Sequence, residues 1–457
     1  MRFSFERNLI KLSLPIFIGM VFELVCSLLD TVWVARIAPG DTAVVSGVGL
    51  AYPAAFLLVA LAQGIGGGVA TIAAIAAGQN DIGSVKASGR NGLWLGAASG
   101  LLITALVYLF RGPLVELLAG DSISGDAKAY AASYLMCYMP GVPFLFAAQA
   151  LMAVLQGEGK TKHIGIATSV STGINAALDP VFIFVFKLGV EGAALTTSLA
   201  QVILFAWMLI VTLREEPGLL STKTAKAIDF GVMKRILGLG MPQTVSFIIL
   251  SASFAAMNWF VSGTSEAFMN AYTLAGRFDG ILLTPTLALS IGLSILVGQN
   301  YGGGNAAELK GMFRRGTAVS LLVSLVLGLI YMAAARPIFA LMSDNPDVVS
   351  LAVTQVYWLT LLSGAGSVLG LSAGSALQAV EKPLHSTLIM LLRMLLIPVA
   401  LAAALQAVFG IAPANTWVAT GAGSLLGGAI GYVMAQRCMK RLGPSCAPEK
   451  TVPAETE

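Results

Sequence analysis

Two aspartates stand inside long apolar runs, Asp30 in IFIGMVFELVCSLLDTVWVA and Asp179 in IGIATSVSTGINAALDPVFIFVF. A bare carboxylate at the centre of a hydrocarbon layer costs roughly 2.5–3.5 kcal/mol on insertion scales. An acid kept there is expected to bind something positive: a proton, a metal cation or a cationic solute. Asn175 lies four residues before Asp179, on the same face of a helix. Pro180 removes a backbone hydrogen bond and leaves the carbonyl of Ala176 without its usual partner. The turn between this run and the next centres near Leu188, so Asp179, nine residues before it, and Thr197, nine after, are expected at one depth of an antiparallel helix pair. Carboxylate, amide oxygen, hydroxyl and freed carbonyl make the hard-oxygen environment that a small cation such as Na+ requires. Asp30, six residues before Arg36, sits in the outer half of its run and is expected to complete the ion-coupling cluster of Asp30, Asp179, Asn175 and Thr197.

The elements that position these residues are membrane spans. With 57% hydrophobic and 11% charged residues, against a soluble norm of about 25% charged, the chain cannot cover a water-facing surface. Apolar segments recur at about 9–35, 46–77, 91–110, 129–155, 164–186, 191–213, 236–262, 267–297, 317–335, 349–378, 386–409 and 415–436, each long enough to cross the hydrocarbon as a helix. The fold class is therefore an all-α integral membrane protein with twelve transmembrane helices. The first segment has no small-residue cleavage site and is expected to be a retained helix. Of the 27 Lys and Arg, only Arg36, Arg111, Lys128, Lys187 and Arg336 fall in loops on one face, and only Arg277 and Arg393 within spans. That asymmetry puts both termini in the cytoplasm of a multi-pass protein of the plasma (inner) membrane. The net charge of +4 is then a topology signal, with no nucleic-acid partner called for. Cys26, Cys137, Cys438 and Cys446 have no metal or disulfide spacing and are expected to pack. The Pro-rich residues 442–457 are expected to form a disordered cytoplasmic tail.

The chain also repeats itself. Leu155-Gln-Gly-Glu-Gly-Lys-Thr-Lys-His163 recurs 222 residues later as Leu377-Gln-Ala-Val-Glu-Lys-Pro-Leu-His385, and Gly78-Gln79-Asn80 recurs 220 residues later as Gly298-Gln299-Asn300. Both copies of each lie on one membrane face, so the halves are expected to be parallel repeats about an axis along the membrane normal, an architecture of transporters. The expected division is an N-lobe of residues 1–215, a cytoplasmic linker of 216–232 and a C-lobe of 233–441.

Asp30-Thr31, the two Gly-Gln-Asn elements, Leu155-Gln156-Gly157-Glu158-Gly159 and Asn175-x-x-x-Asp179-Pro180, in this order and frame, resemble the MATE (multidrug and toxic compound extrusion) family from about Arg7 to Arg441. The resemblance implies two pseudo-symmetric six-helix bundles forming a V that opens alternately to each side. It implies export of organic, often cationic, compounds against protons or sodium ions, with no cofactor beyond that coupling ion. Acids in the N-lobe are similar to the DinF-like branch. The other branch is known by acids in the seventh and tenth spans, where Gln243, Asn258 and SGAGSVLGLSAGSALQ offer none. One departure is Ala35-Arg36, where a Gly is usual, which sets Arg36 as a competitor for Asp30.

The other half differs at the matching place. Aligning Pro180 with Pro398 puts Arg393 opposite Asn175 and Ile397 opposite Asp179. Arg277 and Asp279, two apart on a helix, face away from each other. With Glu23, seven residues before Asp30, the groups Arg277, Asp279 and Arg393 are candidate cavity residues. Gly64-Ile-Gly-Gly-Gly68 lacks the Lys-Ser/Thr of a phosphate loop and reads as close helix packing or a flexible bend. His163 and His385, in cytoplasmic loops, are expected to be structural or lipid-facing. The reading is thus a secondary antiporter, not an enzyme, working as a monomer on small amphipathic or cationic molecules in a lipid bilayer. The alternatives are a lipid-linked precursor flippase, which calls for a more cationic cavity, a channel, and an intramembrane aspartyl protease with Asp30 and Asp179 as its dyad. Against the protease stand the duplication and the Pro directly after Asp179.

Overall fold

In lipid every backbone N–H and C=O must be satisfied within the chain, which leaves helices as the natural element for such a sequence. The computed structural model describes residues 2–37, 42–119, 124–220, 228–343, 345–410 and 412–442, and among these it is helical with no strand. Among the described residues twelve helices are long and apolar enough to cross a membrane, from Phe5–Val34 through Thr161–Val185 and Gly189–Glu215 to Pro413–Arg441, and each overlaps one of the expected segments. The tail from residue 443, including Cys446, and the side chains of Arg277 and Asp279 lie outside the described residues.

The chain forms two compact units. The first runs from Ile18 to Thr244; the second joins the residues up to Phe17 with those from Val245 on. Two long helices, Arg2–Ala35 and Phe230–Ser262, thus each contribute a half to either unit. Val232, Ile236 and Leu239 belong to the first unit's core, beside Leu58, Ile65, Val69 and Ile72. The reason lies in the glycine run: Cβ atoms at Gly64 and Gly68 would collide with Thr244, Gly240 and the carbonyl of Ile236, so only glycine lets these helices touch. The second unit mirrors the device where Gly292 meets Ser13 and Leu9.

The repeat in sequence is also a repeat in backbone. Gly159 and Glu381, equivalent positions of the two Leu-Gln elements, both adopt left-handed φ, 80° and 58°. Each turn is closed by the same bond, Lys160 N–H to Leu155 O at 2.8 Å and Lys382 N–H to Leu377 O at 2.9 Å. This is the Schellman helix end, which Gly meets without strain and Glu does not.

Two prolines shape the spans that carry the candidate residues. After Pro180 the helix widens into a π-helical turn over Val181–Val185. In the other unit a π-helical turn over Leu391–Leu396 precedes Pro398. A proline ring has no N–H and crowds the carbonyl four residues back, and a wider turn relieves both.

Candidate functional site

Three helices of the first unit converge on a carboxyl pair. Asp30 comes from Arg2–Ala35, Asn175 and Asp179 from Thr161–Pro180, and Thr196 from Gly189–Glu215. Asp179 is 2% exposed and Asn175 is also buried, whereas Asp30 is partly buried with Oδ1 sealed from solvent. The carboxyls of Asp30 and Asp179 are within hydrogen-bonding reach of each other. Ionised carboxylates only accept hydrogen bonds, so a bond between two of them needs one proton. Thr196 sets its hydroxyl on Asp179 Oδ1, and Asn175 Nδ2 approaches the same oxygen at a long 3.5 Å.

The expected cluster is assembled with one exchange. Thr197 bonds the Ala193 carbonyl at 3.0 Å and the Tyr134 hydroxyl, not Asp179. Asp179 and Thr197 share a depth only if the helix is uniform up to the turn. The π-helical turn at Val181–Val185 uses an extra residue for nearly the same rise, so the matching position falls one residue earlier, at Thr196. A proline directly after the acid is the signal in the sequence that marks such a shift. Tyr134, half-buried beside both acids and stacked on Tyr138 at 6.1 Å, was missed because a tyrosine in an apolar run reads as packing. Arg36 is no competitor for Asp30: it is exposed and lies over the Trp33 ring at 5.6 Å. Glu23 is exposed, with no hydrogen bond or ion pair to Asp30 among the described residues.

Arg393 is buried in the second unit, its Nη1 donating to Ser367 Oγ at 2.9 Å. Gly370 and Gly427 provide the room, since a Cβ on either would run into Arg393.

A second titratable cluster lies beyond the spans, where the first Leu-Gln turn meets the end of the sixth span. Lys160 Nζ stands 3.0 Å from Glu216, 3.3 Å from Glu158 and 3.3 Å from Glu215, while His163 Nε2 is 3.4 Å from Glu215. Burial, then the hydrogen-bonded Glu216 carboxylate, pushes Glu158 up to about 7. Burial works against the charge of Glu216 too, but hydrogen bonds from Glu158 and Lys160 hold it below the usual range. Lys160 is raised, its own burial outweighed by these carboxylates. Lys86 donates to the Pro217 carbonyl at 2.7 Å and Leu219 is buried among Leu93, Leu151 and Met208, so the start of the linker is fastened to the first unit.

A family model described as MatE matches residues 15–181 and 242–404. A protein named FAD transporter, from Shewanella oneidensis, is 24% identical over 98% of this chain and 97% of its own. A multidrug resistance MATE family transporter of the MOP superfamily, solved in an outward-facing conformation, gives a TM-score of 0.87 at 20% identity, covering 95% of this chain and 96% of that one. The MATE transporter ClbM in complex with Rb+ gives 0.82 at 26% identity over 96% of both chains.

Proposed function

This chain belongs to the MATE family, and we propose that it is a secondary active exporter in which the acids of the first unit couple an incoming ion to an outgoing organic compound. It is a multi-pass membrane transporter rather than an enzyme, and the protease reading of the two aspartates falls away. The observation that carries the coupling proposal is the contact between Asp30 and Asp179. Such a pair holds one positive equivalent between two carboxyls, and without it the like charges repel. Proton is the ion this arrangement supports best. Asn175 turns its amide nitrogen, a donor, toward Asp179, and donors around a carboxyl serve a proton-sharing pair better than a metal ion.

Sodium is the second reading, supported by the oxygens of Asn175, Thr196 and Asp30 around Asp179, and by the Rb+ held by ClbM. In either case the bound ion neutralises the pair, the helices repack around a group that no longer needs water, and a cationic cargo loses its counter-charge. That is a ligand-biased two-state equilibrium. The multidrug and FAD relatives frame the cargo as small and organic, and the distribution of Lys and Arg supports an inner-membrane protein with both termini cytoplasmic.

The test is export of a fluorescent cation from cells carrying the wild type or Asp179→Asn, with external sodium and pH varied separately. Export that follows the pH gradient and is lost in the variant is expected. Undiminished export by the variant under every gradient overturns the proposal.

A further inference from the structure

The repeat of the coupling site carries the opposite charge, and that charge has no counter-ion among the described residues. Arg393 is 3% exposed. A guanidinium stays protonated at any pH a protein meets, and a buried charge needs a partner of opposite sign or a full set of hydrogen bonds. Its partners here are neutral: Nη1 donates to Ser367 Oγ at 2.9 Å, Nη2 meets the Met390 sulfur at 3.6 Å, and Nε has no acceptor. Side-on recognition of a carboxylate or phosphate uses two parallel N–H bonds of one guanidinium edge. Among the described residues no oxygen occupies the Nε–Nη2 edge.

The surroundings supply further donors. Ser367, accepting from Nη1, keeps its own proton to donate, and Ser424, on the helix Pro413–Arg441 that flanks Arg393, is 2% exposed with no partner for its hydroxyl among the described residues. Ser424 abuts Gly366, the neighbour of Ser367, while Gly370 and Gly427 abut Arg393 itself, so these residues meet at one three-helix junction. Arg393 sits in the π-helical turn Leu391–Leu396, a backbone form that concentrates at functional sites. We propose that this junction is an anion site of the second unit, with Arg393 binding a carboxylate or phosphate group side-on and the serine hydroxyls completing its shell. The group is either a free anion or part of the cargo. Binding itself is independent of the export reading, on which only the cargo arm below rests.

The experiment uses the full chain in detergent, in a buffer whose sole anion is a bulky sulfonate, titrated with inorganic phosphate or acetate at constant ionic strength. Saturation is expected to raise the melting temperature of the wild type by about 2–4 °C. Arg393→Gln and Arg393→Met are expected to give no shift, and to melt no lower than the wild type without anion, because each removes an uncompensated buried charge. A wild type indifferent to both anions overturns the proposal. So does an equal shift in the variants. In proteoliposomes, Arg393→Gln then separates the sources. A loss of about tenfold or more in export of a carboxylate-bearing dye, with a purely cationic dye unaffected, assigns the anion to the cargo. Unchanged export of both, with the melting shift intact in the wild type, assigns it to a free ion.

Discussion

Thr196 places its hydroxyl between Asp179 Oδ1 and the carbonyl of Ala193, the latter at 2.8 Å. A hydroxyl has one proton to give. With Asp179 ionised, that proton goes to the carboxylate and the Ala193 carbonyl loses a partner. With Asp179 protonated, it returns to Ala193 and the hydroxyl oxygen accepts from the acid. Thr196 thus reports the charge of Asp179 to the backbone of its own helix. Thr196→Val removes the donor at nearly constant shape. A hydrogen bond to a charged group contributes roughly 1.5–3 kcal/mol, so the apparent affinity for the coupling ion is expected to change by about ten- to a hundredfold. Thr197→Val, whose hydroxyl bonds Ala193 and Tyr134 and not the acid, is expected to stay within about threefold. Ion-dependent dye movement in everted vesicles measures both.

The contact between Asp30 and Asp179 gives a sharper variant. In Asp30→Asn the amide still donates to Asp179 but has no proton to release, so the pair is held in its bonded state. The variant is expected to accumulate and melt like the wild type, yet to export at least about tenfold more slowly with a flat dependence on external pH. Glu308→Gln alters an exposed carboxyl in the first turn of Ala306–Ala340, in the second unit, and is expected to leave that pH profile in place. Transport rates at matched expression, read from pH 5.5 to 8, decide between them.

How much of this was legible in the residues differs by element. The twelve spans were, because composition and period carry them directly. The acid pair was as well, since a carboxylate in an apolar run has few bland explanations. Thr196 was not, although Pro180 stood beside the acid, because one extra residue in a wide turn shifts everything beyond it by one position. Nor was the assignment of Val232, Ile236 and Leu239 to the first unit's core, since the sequence shows where a helix begins but not which neighbour its glycines allow it to touch. The Lys160 cluster was hidden for another reason. Glu158 and Lys160 are in one turn, but Glu215 and Glu216 arrive from more than fifty residues away.

That cluster predicts a pH dependence of stability. Glu158 moves from an ordinary value of 4.5 to about 7 on folding, so between these values the folded chain holds a proton that the unfolded chain has lost. Stability from this group is full below the lower value, falls as pH rises through the window, and is level above it. Glu216 moves the other way, and its contribution is lost only as pH falls below the ordinary carboxylate range, outside the window. The melting temperature is therefore expected to fall between pH 5 and 7, and Glu158→Gln is expected to flatten the curve. A wild-type curve that rises across this interval, or an unchanged slope in the variant, counts against the shared proton at Glu158 and Glu216.

The glycine contacts predict which small substitution the fold cannot absorb. At Gly68 the obstacle to a Cβ is the backbone of Ile236, which cannot rotate away as a side chain would. Gly68→Ala must therefore separate two helices of the first unit, and overpacking of this kind costs about 1–3 kcal/mol. At Gly49 nothing lies within 4 Å of the new atom, so Gly49→Ala meets no such obstacle and gains the better helix propensity of alanine, about 1 kcal/mol at most. The two variants differ by one methyl group in the same helix, Thr42–Gly78, so composition and hydropathy cannot tell them apart. Their melting temperatures are expected to move in opposite directions from the wild type. If Gly68→Ala melts with or above Gly49→Ala, Ile236 is not where the structure places it.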